Sequence, residues 1–189
     1  MRLFVAVELP EDWKTALDRA VRDLRAGCTG ITPTRRENFH LTLAFLGEVE
    51  GPGRAAAALD RVRAPCFDLR TAGPGRFRGR GGDLWWLGVE PDPGLMEVQR
   101  ALAEALAEEG FRLEDRPFRP HLTLGRRVVT GKRFREEAWR AALPRLECRV
   151  EELTLMRSHR VEGVLTYTPL CRRALGEGGS GENPASGRP

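Results

Sequence analysis

The sequence contains very little lysine and no long apolar run. Two of its 31 basic residues are lysine, Lys14 and Lys132, and the rest are arginine. No stretch approaches the roughly 20 apolar residues that a membrane-spanning helix needs. The opening segment, residues 2–7, is too short for a signal peptide and leads directly into charged residues. These absences predict a cytoplasmic protein that has no membrane anchor.

Cysteine is also scarce, and its spacing argues against two kinds of site. The four cysteines are spread through the chain without a Cys-x-x-Cys pair, which is unlike a zinc knuckle or a dithiol redox centre. We therefore expect free thiols, no metal and no cofactor. The net charge of +4 and the abundant arginine suit a polyanionic partner, because a guanidinium can hold phosphate through two parallel hydrogen bonds. A GC-rich genome would produce the same arginine-rich composition.

The length and the hydrophobic patterning predict one α+β domain. A chain of 189 residues can bury a sizeable core in two lobes. The order strand–helix–strand recurs without the steady alternation of a doubly wound fold, which favours antiparallel sheets with outer helices. We place this domain at residues 1–175, with a Gly/Arg-rich loop at 73–83. Residues 176–189 are interpreted as a disordered tail, and a monomer is expected.

Histidine is rare, yet two of the three histidines lie in identical tetrapeptides. Residues 40–43 and 121–124 both have the sequence His-Leu-Thr-Leu, each within a predicted strand. Composition alone would give such a pair in roughly one of 10⁶ chains. The repeat therefore indicates an internal duplication in which each half contributes one equivalent strand. The third histidine, His159, has no threonine two residues later, and we interpret it as a surface residue near the substrate.

Strand geometry places the imidazole and the hydroxyl of each motif on one face. Side chains alternate along a strand, so His40 and Thr42 point away from the two leucines of their motif. His121 and Thr123 do the same in the second motif. A neutral imidazole can take a proton from water, and a protonated one can give a proton to a leaving alcohol. A free pKa of about 6.5 allows both forms. Two such strands across a cleft therefore predict cleavage of a phosphate ester without a metal.

Segments around the two motifs extend the pattern over most of the chain. They are Arg2–Pro10, Glu37–Glu48, Leu84–Val89, Phe118–Arg126, Leu155–Ser158 and Tyr167. Together they resemble the 2H phosphoesterase superfamily, and within it the RNA 2′,3′-cyclic phosphodiesterase (2′-5′ RNA ligase) family, from about residue 1 to residue 170. The resemblance implies a bilobal α+β fold in which two pseudo-twofold lobes of antiparallel sheet, with outer helices, surround a central cleft.

The same resemblance implies an activity and a site. It implies hydrolysis of RNA 2′,3′-cyclic phosphate ends to 2′-phosphate ends, with reversible, ATP-independent 2′-5′ ligation. The partner would be RNA that carries such an end. It also implies that His40 is the proton donor and His121 the proton acceptor, although the two equivalent motifs make the histidines chemically similar. Thr42, Thr123 and Arg126 would bind the substrate phosphate.

Three alternatives stay open at this point. The first is an enzyme of the same fold that acts on a small cyclic nucleotide. The second is an RNA-binding protein without turnover, against which the intact His and Thr of both motifs argue. The third is a metallohydrolase, but no carboxylate or cysteine ligand is placed near either motif. Loop arginines are candidates for steering RNA and nearby aromatics for stacking bases; they are Arg35, Arg36, Arg76, Arg78, Arg80, Phe77, Trp85 and Trp86.

Overall fold

The computed structural model describes residues 1–176, and this range contains nine strands and four α-helices. The strands are β1 (Arg2–Glu8), β2 (Cys28–Pro33), β3 (His40–Glu48), β4 (Phe67–Phe77), β5 (Asp83–Val89), β6 (His121–Thr130), β7 (Glu147–Val150), β8 (Glu152–Val161) and β9 (Val164–Ala174). The helices are α1 (Glu11–Ala26), α2 (Gly53–Arg61), α3 (Pro93–Glu108) and α4 (Glu136–Ala141), and a single 3₁₀ turn occupies Arg36–Asn38. The predicted tail lies outside the described residues from position 177 onward.

The strands form two antiparallel sheets. One has four strands in the order β3-β1-β8-β9, and the other has five in the order β2-β6-β5-β4-β7. The first motif lies on β3 of the four-stranded sheet and the second on β6 of the five-stranded sheet, so each lobe contributes one histidine strand. The predicted α+β class with two antiparallel lobes is confirmed. The domain boundary at residue 175 stays a prediction.

The helices bury one apolar face each. On α1 the buried side chains include Trp13 and Leu17, one helical turn apart. On α3 they include Leu95, Leu102 and Leu106, all fully buried. Removing one such leucine side chain from water is worth about 2 kcal/mol, so this packing holds the helices against the sheets. None of the helices in residues 1–176 has the length and apolar character needed to cross a membrane.

The sequence did not predict strand β2. It pairs with the outer side of β6, and its register shifts on both sides of Gly30. Glycine and proline are poor strand formers, and Pro33 ends the segment, so the local sequence carries little β signal. The long-range pairing with β6 supplies the backbone hydrogen bonds that the local sequence does not indicate.

The loop predicted at 73–83 is shorter than expected, because β4 continues to Phe77. The strand is irregular between Thr71 and Pro74, where extra residues interrupt the pairing with β5. Proline has no N–H to donate and is tolerated only where a strand has a free edge or a bulge. Pro74 meets that condition, because β7 pairs only with residues 67–70 on the other side of β4.

Candidate active site

A cleft of about 1160 Å³ is lined by strands of both sheets. All five residues predicted for the site line it, namely His40, Thr42, His121, Thr123 and Arg126. The leucines that follow the two histidines, Leu41 and Leu122, are fully buried on the opposite face of their strands. The structure therefore brings together the side chains that the repeated motif singled out. Their chemical roles stay predictions.

Both motif strands carry a β-bulge at the same position. In β3 the extra residue is Leu43, whose two neighbours pair with consecutive residues of β1. In β6 it is Leu124, whose two neighbours pair with consecutive residues of β5. A bulge re-aims the side chains that follow it. Strict alternation would point Arg126 towards the leucine face, but beyond the bulge it lines the cleft. The same position in the first motif is Phe45, which also lines the cleft.

Hydrogen bonds at both ring nitrogens hold His40. Nδ1 lies 2.7 Å from the carbonyl oxygen of Asn38, and Nε2 lies 2.9 Å from Oγ1 of Thr42. A carbonyl oxygen can only accept, so Nδ1 donates and the neutral ring keeps its lone pair on Nε2, where it accepts from the threonine hydroxyl. The rings of Phe4 and Tyr167 lie 4.9 and 5.0 Å from the imidazole centroid. These contacts hold the ring in one orientation and, when it is neutral, in one tautomer.

His121 has an equivalent setting with one difference. Its Nδ1 donates to the carbonyl oxygen of Arg119 at 2.7 Å, which again leaves the lone pair of the neutral ring on Nε2. Phe77 and Trp86 flank the ring, with centroids at 5.4 and 5.8 Å. Within residues 1–176, its Nε2 makes no hydrogen bond. The nitrogen is therefore free to bind a water or a substrate oxygen.

Burial lowers the pKa of both histidines. Desolvation lowers the pKa of His40 to about 4, opposed by the Asn38 carbonyl and reinforced by the charges of Arg126 and His121. Desolvation also lowers the pKa of His121, opposed by the Arg119 carbonyl and reinforced by Arg126. Both rings are thus neutral at neutral pH when the cleft holds no anion. A bound phosphate would oppose the desolvation and the arginine charge, and so raise both pKa values.

Asn38 and Tyr167 lie beside His40 and were not among the predicted site residues. Asn38 is 6% exposed, and its Nδ2 donates to the carbonyl oxygen of Leu165 on β9 at 3.0 Å. It thereby ties the turn before β3 to the hairpin that carries Tyr167. A buried asparagine before the motif is a weak signal in sequence, since most asparagines lie at the surface. The cross-strand bond becomes evident only in the fold.

The arginines and aromatics proposed as RNA contacts divide into two groups. Arg35, Arg78 and Phe77 line the cleft. The others do not line it: Arg36 pairs with Glu11, Arg76 pairs with Asp83 and Glu136, and Trp85 is 2% exposed in the core. Arg80 and Trp86 are not part of the cleft surface either, although Trp86 packs beside the His121 ring. His159 also lies outside the cleft lining, with its Nε2 2.8 Å from Oγ1 of Thr168. The expected position of His159 near the substrate stays a prediction.

Titratable side chains elsewhere in the described part of the chain do not gather into a metal-binding group. No three His, Cys, Asp or Glu side chains among residues 1–176 are placed so that they could hold one ion. The four cysteines are free thiols, as their spacing predicted. Burial raises the pKa of Cys148 to about 11 and that of Cys28 and Cys171 above the usual range, so these thiols are protonated.

Two antiparallel lobes that face each other through paired His-x-Thr strands define a two-histidine phosphoesterase architecture. The family profile of the 2′-5′ RNA ligase superfamily matches residues 10–162. The chain belongs to this superfamily, which confirms the resemblance seen in the sequence.

Relatives with established names agree with that assignment. The chain is 37% identical over 145 residues to the RNA 2′,3′-cyclic phosphodiesterase of Geobacillus stearothermophilus, an alignment that spans 73% of this chain and 46% of that protein, less than half of its length. It is 34% identical to the RNA 2′,3′-cyclic phosphodiesterase of Escherichia coli over 92% of this chain and 96% of that one. The crystal structure of E. coli LigT complexed with 3′-AMP superposes with a TM-score of 0.73 at 32% identity, covering 92% of this chain and 97% of that one.

Proposed function

We propose that this protein hydrolyses RNA 2′,3′-cyclic phosphate ends to 2′-phosphate ends by acid–base catalysis with two histidines and no metal. The observation that carries the proposal is the convergence of both His-x-Thr pairs and Arg126 on one cleft. The relatives named RNA 2′,3′-cyclic phosphodiesterase support the reaction class and RNA as the substrate. The LigT complex with 3′-AMP supports a cleft that accepts a nucleotide with phosphate on the ribose.

The proposed reaction is a displacement at phosphorus. His121 Nε2 takes a proton from water as the water oxygen bonds to phosphorus. The bond from phosphorus to O3′ breaks, and protonated His40 gives its Nε2 proton to O3′. The product carries a 2′-phosphomonoester and a 3′-hydroxyl. Thr42, Thr123 and Arg126 donate hydrogen bonds to the non-bridging oxygens, where negative charge is concentrated in the transition state.

The surroundings of the two imidazoles support this division of roles. His121 is neutral in the free cleft and its Nε2 is unoccupied, as a general base requires. His40 is more strongly desolvated, with a pKa lowered to about 4, so it holds a proton only when an anion is near. The cyclic phosphate supplies that anion. His40 therefore becomes an acid when the substrate binds. Protonation of Nε2 ends the hydrogen bond that this nitrogen accepts from Thr42 in the free cleft, so the threonine hydroxyl can donate to the phosphate and the Nε2 proton can reach O3′.

The same site can join RNA ends. A 5′-hydroxyl in place of water would attack phosphorus, displace O3′ and leave a 2′-5′ linkage. The energy comes from the cyclic phosphodiester, so ATP is not needed, and the reverse reaction uses the same two histidines with their roles exchanged. We therefore include reversible 2′-5′ ligation in the proposed function.

The test is a product analysis in excess chelator. An oligonucleotide with a 2′,3′-cyclic phosphate end should yield a 2′-phosphate, identified by phosphorus NMR, and 2′,3′-cyclic mononucleotides should be compared in parallel. His40→Asn and His121→Asn should each lower kcat by about 10²- to 10⁴-fold, while the same substitution at His159, outside the cleft, should not. A 3′-phosphate product contradicts the assigned leaving group. A requirement for added metal contradicts the two-histidine mechanism, and a preference for mononucleotides favours a small cyclic substrate.

A further inference from the structure

The turn between β4 and β5 has an unusual sequence and forms one edge of the cleft. Residues 78–82 are Arg-Gly-Arg-Gly-Gly, and Arg78, Gly79 and Gly82 line the cleft while Arg80 does not. The last two glycines adopt left-handed backbone angles, with φ of +80° at Gly81 and +121° at Gly82. We call residues 78–82 the arginine turn.

The arginine turn is packed directly against the strand that carries the second motif. A Cβ at Gly82 would lie 2.5 Å from the carbonyl carbon of Arg127 and 2.8 Å from its Cα. Only glycine permits that approach, so the turn rests on the backbone of β6 just beyond Arg126. A hydrogen bond also holds the turn together: the carboxylate of Asp83 accepts from the N–H of Gly79 at 3.4 Å. The position of Arg78 relative to the site is therefore set by packing.

Arg127 has a strained backbone at the same place. Its φ is +53°, a conformation that costs energy for any residue with a side chain. Strain of this kind persists where the surrounding structure enforces it, and it concentrates at functional sites. Here it follows the β6 bulge, and the side chains of two consecutive residues, Arg126 and Arg127, both line the cleft.

The charges of Arg78 and Arg127 are not neutralised locally. Neither side chain forms an ion pair with a carboxylate within 4.0 Å in the described range 1–176. Their neighbour on the hairpin behaves differently: Arg76 lies near Asp83 and Glu136 at 3.8 and 3.7 Å and over the ring of Trp85. Arg76 therefore stabilises the hairpin, whereas the guanidinium groups of Arg78 and Arg127 are available to an anionic ligand in the cleft.

The size of the cleft leaves room for that ligand. Sites for single small ligands usually enclose about 300–1,000 Å³, and this cleft of about 1160 Å³ exceeds that range. A terminal nucleotide at the two histidines would leave part of it unfilled. Arg126 faces the reacting phosphate in the proposed function, and the next residue along the strand, Arg127, lies beside the arginine turn.

We propose that Arg78 and Arg127, on the arginine turn and its docking strand, bind the internal phosphodiester immediately 5′ of the terminal nucleotide. This inference rests on the proposed function and adds a second phosphate subsite to it. The enzyme would then prefer a polynucleotide end to a free cyclic mononucleotide, because only the polynucleotide has a phosphate at that position. Arginine contacts to backbone phosphate add affinity that is independent of base sequence and sensitive to salt.

The experiment compares two substrates that differ by one internal phosphate: a 2′,3′-cyclic mononucleotide and a dinucleotide with a 2′,3′-cyclic end. Arg78→Gln with Arg127→Gln should raise KM for the dinucleotide about tenfold and leave KM for the mononucleotide within about twofold. The salt slope of log KM for the dinucleotide should fall by about 0.7, the value for one phosphate contact on a single strand. Arg80→Gln is the matched control, since it lies on the same turn outside the cleft lining.

Two results would overturn the subsite. One is an equal rise in KM for both substrates in the double variant, and the other is a rise in KM for the dinucleotide in Arg80→Gln as large as that in the double variant. Arg127→Gln could disturb folding because the backbone of Arg127 is strained. The single variant Arg78→Gln, in an exposed turn, avoids this problem and should raise KM for the dinucleotide in the same direction. Turnover by the unmodified protein tests the proposed function separately. If neither substrate is turned over, calorimetric binding of a nucleoside 2′-phosphate and of a dinucleotide with a 2′-phosphate end gives the same comparison. Tighter binding of the dinucleotide, lost in the double variant, supports the subsite without catalysis.

Discussion

His40 and His121 occupy equivalent positions in the duplicated motif, yet their surroundings differ. Each ring donates from Nδ1 to the carbonyl two residues earlier in the chain, which is a local consequence of the backbone just before each strand. The difference lies at Nε2, which is engaged by Thr42 in one case and open in the other. An identical tetrapeptide therefore produces two different imidazoles, because the neighbouring elements differ.

The lowered pKa of His40 should make stability depend on pH. In the unfolded chain the pKa is about 6.5, and in the folded protein about 4. Between these values the unfolded chain binds a proton that the folded one does not. The stabilisation is therefore fully present above the unfolded pKa and falls as the pH drops through this window. It falls no further below the folded pKa, and the total loss is about 3–4 kcal/mol at most.

His40→Asn should remove most of that acid loss. The measurement is the free energy of unfolding by urea at neutral pH and near the lower end of the window. His121, whose pKa is also lowered, would leave a smaller dependence in the variant. If the free energy of unfolding depended on pH identically in the variant and the unmodified protein, the lowered pKa of His40 would be contradicted.

Asn38 should act as a positioning residue for His40. Asn38→Ala removes the donor to the Leu165 carbonyl and frees the turn whose own carbonyl orients Nδ1 of His40. Small misplacements of a catalytic group cost about 10²-fold in rate, so kcat should fall by about 10- to 100-fold while KM changes little. Nitrogen NMR of His40 should show a mixture of tautomers. Thr166→Val, on the same hairpin but outside the cleft, is the control and should leave both readouts unchanged.

At the scale of elements, β3 and β6 are built alike. Each has its His and Thr side chains on the face towards the cleft, a buried leucine on the opposite face and a bulge after the threonine. The bulge places Arg126 of β6 on the cleft face, where β3 has Phe45 at the equivalent position. The two motif strands thus have the same backbone arrangement, but β6 carries the positively charged Arg126 where β3 carries Phe45.

The two buried leucines, Leu41 and Leu122, should contribute equally to the free energy of unfolding. Leu41 and Leu122 are both fully buried, and truncation of a buried leucine costs about 2–5 kcal/mol. Leu41→Ala and Leu122→Ala should therefore destabilise the protein by similar amounts in urea unfolding. Val129→Ala, on β6 but 45% exposed, should change stability by less than about 0.5 kcal/mol. A small effect at only one of the two leucines would argue against equivalent anchoring.

Much of the arrangement of strands and site residues could be predicted from the sequence. The features that could not be predicted depend on long-range pairing. Alternation placed His40 and Thr42 together because strand periodicity is a local property. It could not place Arg126, since the bulge before it depends on how two strands pair. Strand β2 was missed for the same reason: its pairing with β6 is a long-range interaction. Asn38 was missed because its partner lies 127 residues away.

At the scale of the whole molecule, the site exists only because two lobes meet. Each lobe contributes one imidazole and one hydroxyl to the cleft, and neither lobe alone has both of the histidines that the proposed reaction uses. The only positive side chain among the five proposed site residues, Arg126, lies close enough to lower the pKa of His40 and His121 together. The charge of Arg126 therefore couples the protonation of the two histidines, which lie on different lobes. In the proposed reaction the substrate also contacts both lobes.

This linkage predicts how the two histidine substitutions combine. In the proposed reaction one proton is taken up and one is given in the same displacement, so removing either histidine disables that step. The double variant His40→Asn with His121→Asn should then be about as slow as either single variant, because residues that act as a unit have strongly non-additive effects. Initial rates on a cyclic-ended oligonucleotide provide the measurement, with circular dichroism to check folding. If the lobes acted independently, the two losses would multiply, and the double variant would be slower by the product of the single effects.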